Sequence, residues 1–258
     1  MFGPTDRFPF ATERAYTPPE AHFPTYRSVM EGLGLSRAVL VQPSVYGTDN
    51  RALLDALAQG RAEMRGVAVI GDEADQDLAA LHAAGVRGVR VNRLFPSAPA
   101  VADLGELAGR IAPFGWHLQL LIDVSQAPDQ VRRLADLPVP TVIDHLGHLP
   151  AALGCDHPGF QALLGLLRDG RSWVKLSAPY RLSAQAGPPY DDLRPMAEAL
   201  LDAAPERALW GSDWPHPAIG GPRPDPAKLL DPLFDWIDDP ALRRRVLVDN
   251  PARLYGFS

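Results

Sequence analysis

Seven short apolar runs recur along the chain, at residues 37–42, 65–70, 85–91, 117–122, 140–144, 172–176 and 207–211. Between them lie stretches with helical periodicity, at 50–61, 72–84, 127–137, 160–168 and 191–203. Strand and helix in steady alternation predict a parallel sheet with helical crossovers. The runs are nearly continuous in apolar residues, as strands covered on both faces must be.

An open doubly wound sheet and a closed barrel both produce this pattern. Two features favour the barrel. No glycine-rich phosphate loop follows the first run, so the dinucleotide-binding version of the open sheet lacks its signature. Polar residues also stand directly after nearly every run: Gln42-Pro-Ser44, Asn92-Arg93, Asp123, His145, Ser177 and Asp213. Functional groups gathered at the carboxyl ends of many strands are the mark of a barrel active site. The expectation is an α/β fold of the (β/α)8 TIM-barrel-like kind. The count falls one strand short of eight, and room for another exists only at the N-terminus.

Composition narrows the function. A chain of 258 residues suits one large barrel or two small domains, and no linker, repeat or low-complexity segment divides it. One domain over residues 1–258 is expected. The net charge of −6 argues against a nucleic-acid partner, which calls for a basic face. The single cysteine, Cys155, excludes an internal disulfide framework and a cysteine-based zinc cluster. No stretch approaches the roughly 20 apolar residues of a membrane span, and no signal-peptide core is visible. A cytoplasmic protein without a membrane partner is expected.

The segment Gly211-Ser-Asp-Trp-Pro-His-Pro217 sets Asp213 at the end of the last run. A carboxylate there can take a proton from a water over the barrel mouth. An N-cap or Asx-turn aspartate explains it equally well. His145, in Asp144-His-Leu-Gly-His148, ends another run and can polarise a carbonyl or shuttle a proton. Alone, it reads more readily as a structural histidine; beside a strand-end aspartate, the balance turns. His148 and His157 read as loop residues and His82 as a residue on a surface helix, while His22 and His117 carry no signal.

Arg90 lies inside a buried run, where its permanent charge needs a partner or an anion. An internal salt bridge to an aspartate is the alternative, and the less favoured of the two. Arg181 follows Lys175-Leu-Ser-Ala-Pro-Tyr180, and a solvated loop arginine remains open there. Two guanidiniums at one mouth suit a substrate with one or two carboxylates. Ser44 and Tyr46 offer hydroxyls after the first run, although a plain strand-to-helix turn uses the same residue types.

At these residues the chain resembles the amidohydrolase superfamily, and within it the group of 2-pyrone-4,6-dicarboxylate lactonases and sugar-acid lactonases. The resemblance runs through Phe2-Gly-Pro-Thr-Asp-Arg-Phe-Pro-Phe10, Val41-Gln-Pro-Ser-Val-Tyr-Gly-Thr-Asp-Asn50, Gly88-Val-Arg-Val-Asn92, Ile143-Asp-His-Leu-Gly147, Lys175-Leu-Ser-Ala-Pro-Tyr-Arg181, Trp210-Gly-Ser-Asp-Trp-Pro-His216 and Asp249-Asn-Pro-Ala-Arg-Leu-Tyr-Gly-Phe257. It implies a hydrolase that opens a carboxylate-bearing lactone ring. Asp213 would be the general base that activates water, and His145 would orient or polarise the reacting group. Arg90 and Arg181 would hold carboxylates, with Ser44, Tyr46 and His216 as further contacts. Arg93 is the one basic residue available for an additional contact after the Arg90 run.

The superfamily's first strand ends in a His-x-His pair, just upstream of the segment seen here as Phe2-Gly-Pro. The expectation is therefore a first strand that is missing or truncated, from a start codon assigned too late. No cofactor is expected, and a divalent metal only if such a pair lies upstream, because His145 and Asp213 alone are too few ligands for a tight site. Two rival readings stay open. One is a metal-dependent decarboxylase of the same superfamily; the other is a non-catalytic sugar-acid or aromatic-acid binding protein.

Overall fold

The apolar runs become strands because their β-branched and leucine side chains can be covered on both faces, which a parallel sheet under helices provides. In the computed structural model, which describes residues 1–72, 76–95 and 101–258, they form β1 (Ala38–Val41), β2 (Met64–Ala68), β3 (Val86–Asn92), β4 (His117–Leu121), β5 (Thr141–Ile143), β6 (Trp173–Ser177) and β7 (Ala208–Gly211). The strands lie in one sheet in the order β1 to β7, and every neighbouring pair is parallel. Each of the seven expected runs holds one strand, within two residues at either end.

Helices cover the outside in chain order: α1 (Phe23–Gly32), α2 (Arg51–Gly60), α3 (Leu78–Ala83), α4 (Leu104–Ile111), α5 (Pro128–Arg133), α6 (Pro158–Arg168) and α7 (Arg194–Ala203). Three short ones close the chain: α8 (Asp231–Trp236), α9 (Pro240–Arg244) and α10 (Asn250–Tyr255). Helix α6 shows the local logic. Pro158 pre-sets the first turn, and the His157 ring caps it by accepting the Gly159 N–H at 3.1 Å. Its inner face then buries Phe160, Leu163, Leu164, Leu166 and Leu167, each worth roughly 1.5–3 kcal/mol. The helical segment expected at 72–84 is shorter than its pattern, with α3 confined to Leu78–Ala83; residues 73–75 lie outside the described residues.

The sheet curls. Val67 of β2, Val142 of β5, Trp173 of β6 and Leu209 of β7 share one buried apolar cluster with Tyr255, and Val39 and Val41 of β1 pack against it. Strands so far apart in the sheet order meet only if their inner faces turn toward a common axis. In the sheet itself, β1 pairs only with β2 and β7 only with β6 among the described residues. Asn250, in the Asn-Pro-Ala-Arg-Leu-Tyr segment, pins this end. Its amide donates to the carbonyls of Pro205 and Ala208, at 3.0 and 2.7 Å, which fixes α10 against the start of β7. No helix among the described residues is long and apolar enough to cross a membrane.

Candidate active site

A cavity of about 520 Å³ runs along the β1 and β7 edges of the sheet and reaches the carboxyl ends of the strands. Ser44, Arg90, His145, Arg181 and Asp213 all line it. They come from the turn after β1, from β3, and from the loops after β5, β6 and β7. This is the convergence expected of polar residues at strand ends.

Asp213 is the most heavily engaged. Its Oδ2 accepts from Arg181 Nε at 3.0 Å and from the Tyr180 hydroxyl at 2.5 Å, and forms an ion pair with Arg181 Nη2 at 2.9 Å. Its Oδ1 faces His145 Nε2 at 3.8 Å. Gly211 permits this approach. A Cβ there would come within 3.3 Å of the Ser177 side chain, so glycine lets β7 end close against β6. Burial pushes the Asp213 carboxyl upward, but the charges of His145 and Arg181 and the hydrogen bonds from Tyr180 and Arg181 outweigh it. The result lies below the ordinary carboxylate range. Asp213 is therefore ionised at neutral pH, as a proton acceptor must be.

His145 is buried, and its Nδ1 lies 2.8 Å from Ser177 Oγ at the end of β6. Burial is the main cause that lowers its pKa to about 4, with Arg90 and Arg181 acting the same way against the pull of Asp213 and Asp144. A neutral imidazole can present an Nε2–H to an oxygen in the cavity if Ser177 donates to Nδ1. Both His145 and Asp213 adopt left-handed backbone, with φ of 51° and 52°. For residues with a Cβ this conformation costs on the order of 1 kcal/mol or more, and such strain concentrates at functional sites.

Arg90 is paired with an aspartate, the alternative that the sequence favoured less. Its Nη2 lies 3.5 Å from Asp144 Oδ2, and Asp144 also takes Lys175 Nζ at 3.1 Å and two contacts from Gln119 Nε2 at 3.0 Å. One carboxylate thus faces two cations in the barrel interior, and they hold it well below the ordinary range despite burial. The terminal nitrogens of Arg90 make no hydrogen bond among the described residues and its side chain is 15% exposed, so the guanidinium keeps donor capacity toward the cavity it lines. Arg181 is no solvated loop residue, since its side chain is 15% exposed and paired with Asp213.

Two expected contacts do not reach the cavity. Tyr46 points into a cluster with Phe2, Phe8 and Phe10, and its hydroxyl accepts the Gly3 N–H at 2.7 Å. The aromatic N-terminal segment needs that ring as its own core. His216 turns away beneath Tyr180, edge-on at 5.4 Å between centroids, and is buried there. Its backbone N–H closes a tight turn onto the Asp213 carbonyl at 2.7 Å, and this reverses the side chain. Arg93 likewise spends Nη2 on the Val101 carbonyl, at 2.9 Å.

Other residues line the cavity that the sequence did not single out: Tyr16, Gln119, Asp144, Lys175 and His148. Gln119 and Lys175 carried a readable signal, as polar residues inside otherwise apolar strands. His148, expected in a loop, stands with its ring 6.3 Å from that of His145. His82 lies on the outer helix α3, as expected, and its ring accepts the Trp116 indole N–H at 2.9 Å. His117 sits wholly inside the start of β4 with Tyr255 edge-on at 5.3 Å.

Among the described residues no three His, Cys, Asp or Glu side chains gather in a geometry that could hold a metal ion. With Asp213 Oδ2 already filled by Arg181 and Tyr180, the donors present do not fit a resident transition metal.

The amidohydrolase family (Amidohydro_2) matches residues 1–257. A 2-pyrone-4,6-dicarboxylate hydrolase of Comamonas testosteroni is 38% identical over 99% of this chain and 87% of that protein. A 4-sulfomuconolactone hydrolase of Rhizobium radiobacter is 39% identical over the same shares, 99% and 87%. Among solved structures, a probable 2-pyrone-4,6-dicarboxylic acid hydrolase of Acinetobacter baumannii with citric acid bound superposes with a TM-score of 0.86. It is 26% identical, over 97% of this chain and 95% of that one. Fold, strand-end site and sequence agree, and the chain belongs to the amidohydrolase family.

Proposed function

We propose that the protein hydrolyses a lactone ring that carries a carboxylate. The observation that carries this reading is the meeting of an ionised Asp213, a neutral His145 and an Arg90 with free donors in one cavity of about 520 Å³. Relatives named as hydrolases of 2-pyrone-4,6-dicarboxylate and of 4-sulfomuconolactone support it, as does citric acid in the Acinetobacter structure.

In this reaction Asp213 takes a proton from a water, and the water oxygen bonds to the ring carbonyl carbon. The carbonyl oxygen gains the negative charge, which His145 Nε2–H stabilises by donating to it. The tetrahedral intermediate then expels the ring oxygen. The proton held by Asp213 goes to that leaving oxygen, and the base is restored. Arg90 and Ser44 hold the carboxylate. Each step uses this chain's own side chains.

The test is a hydrolysis screen with purified protein over 2-pyrone-4,6-dicarboxylate, 4-sulfomuconolactone and a sugar-acid lactone, with ring opening followed by absorbance or proton release. Turnover of at least one carboxylated ring is expected, and an uncharged lactone of similar size should be a far poorer substrate. If ligands raise the melting temperature but nothing is hydrolysed, a binding protein replaces the enzyme.

A further inference from the structure

Tyr180 belongs to none of the roles assigned so far, yet its hydroxyl touches both Asp213 and His216. It lies 2.5 Å from Asp213 Oδ2 and 3.1 Å from His216 Nδ1. We propose that Tyr180 is a positioning residue: by bridging Asp213 and His216, it leaves Oδ1 as the proton-accepting oxygen of the base. This rests on Asp213 as the base of the reaction above.

The argument is a count of donors. A phenol has one proton, and an anionic carboxylate is the stronger acceptor as well as the nearer one. The Tyr180 proton therefore goes to Oδ2, where it joins the Nε–H of Arg181, with Nη2 in ion-pair contact at 2.9 Å. Two hydrogen bonds and an ion pair converge on one oxygen. Oδ1 has no hydrogen bond among the described residues, and the His145 Nε2 at 3.8 Å leaves space for a water or a substrate atom. An activated water thus has one oxygen of Asp213 to bond with.

Once its proton is committed, the phenol oxygen can only accept. The His216 nitrogen that faces it must then carry hydrogen, so His216 is the Nδ1–H tautomer. Its Nε2 is buried and has no hydrogen-bond partner among the described residues, so no acceptor there calls for the other tautomer. The left-handed backbone at Asp213 and His216, with φ of 52° and 59°, turns both side chains toward the phenol. Arg181 lies over the same ring, with its Cζ 5.2 Å from the centroid, so one aromatic plate orders the base and its counter-charge together. The remaining titratable groups that act on Asp213 are His145 and His148 after β5, Lys175 within β6, and Tyr16 from the N-terminal segment.

Nitrogen-15 NMR of the imidazoles in the full chain tests the bridge without a substrate. At neutral pH, His216 should show a protonated Nδ1 and a bare Nε2. Tyr180→Phe keeps the ring but removes the bridge, so this pattern should revert toward the commoner Nε2–H tautomer. The same variant should lower kcat on 2-pyrone-4,6-dicarboxylate about 10-fold or more, with KM little changed, because the carboxylate loses its fixed orientation. The acid limb of the profile should move to higher pH, since a donor to the ionised form has been lost. If Tyr180→Phe folds poorly, His216→Phe removes the other half and should move the acid limb the same way. An unchanged tautomer and an unchanged profile in a folded Tyr180→Phe protein overturn the proposal. A wild-type chain that shows the tautomer exchange but opens no lactone keeps the bridge and removes the lactonase reading.

Discussion

Arg181 reaches a single oxygen of Asp213 with two nitrogens, Nε at 3.0 Å and Nη2 at 2.9 Å, and Nη2 also donates to the Pro217 carbonyl at 2.7 Å. An arginine committed in this way is first a partner of the base. Its effect on a substrate carboxylate comes second.

Asp213→Asn should lower lactone turnover by roughly 100-fold or more, the usual loss for a general base, while circular dichroism stays that of wild type. Arg181→Ala should lower kcat as well as raise KM, because it leaves the Asp213 carboxylate buried with fewer partners. Steady-state kinetics separate the two effects. A pure KM effect in Arg181→Ala returns Arg181 to the role of carboxylate holder alone.

Arg90→Met keeps an apolar stem of similar length and removes the unpartnered donors. KM for a carboxylated lactone should rise roughly 10- to 100-fold, as expected when a charged hydrogen bond worth about 1.5–3 kcal/mol is lost. The fall in kcat should be the smaller change. The contrast should vanish for an uncharged lactone, and equal losses on both would show that Arg90 acts only through Asp144.

Lys175→Met tests stability rather than chemistry. Asp144 is 2% exposed and shared between Lys175 and Arg90, so removal of the ammonium takes its nearer cation and leaves the longer Arg90 contact at 3.5 Å. A loss of about 1.5–3 kcal/mol, that of a hydrogen bond to a charged group, is expected in urea unfolding. The double variant Lys175→Met with Asp144→Leu should lose more, because it strips the Arg90 guanidinium of its carboxylate.

Acid should weaken the fold before it protonates surface carboxylates. His145 and His216 have pKa values lowered chiefly by burial to about 4, against an ordinary 6.5. Between those values the unfolded chain binds more protons than the folded one, so stability rises with pH across that window and is lost as pH falls through it. Asp144 and Asp213, held below the ordinary carboxylate range, add a further loss below about pH 4. The melting temperature should therefore be several degrees lower at pH 5 than at pH 7, and turnover should be flat from about pH 6 to 8. A melting temperature that does not move between pH 5 and 7 would mean that these histidines are charged in the native state.

The sequence by itself determined the strands, their order and the residues at their ends. Strand identity follows from local patterning, and a run such as 117–122 is apolar because both of its faces are covered. Polar residues that interrupt such a pattern at its carboxyl end, Ser44, His145 and Asp213 among them, face the cavity by geometry alone. What the sequence left open was the pairing. Tyr180 and Arg181 stand more than 30 positions before Asp213, and no spacing rule links them. Tyr46 and His216 had the right residue types at the right strand ends, yet a tight turn and an aromatic cluster directed them elsewhere. Periodicity reports which face of an element is covered. Which donor fills which lone pair depends on the curl of the sheet and the backbone φ of single residues, and only the tertiary packing decides those.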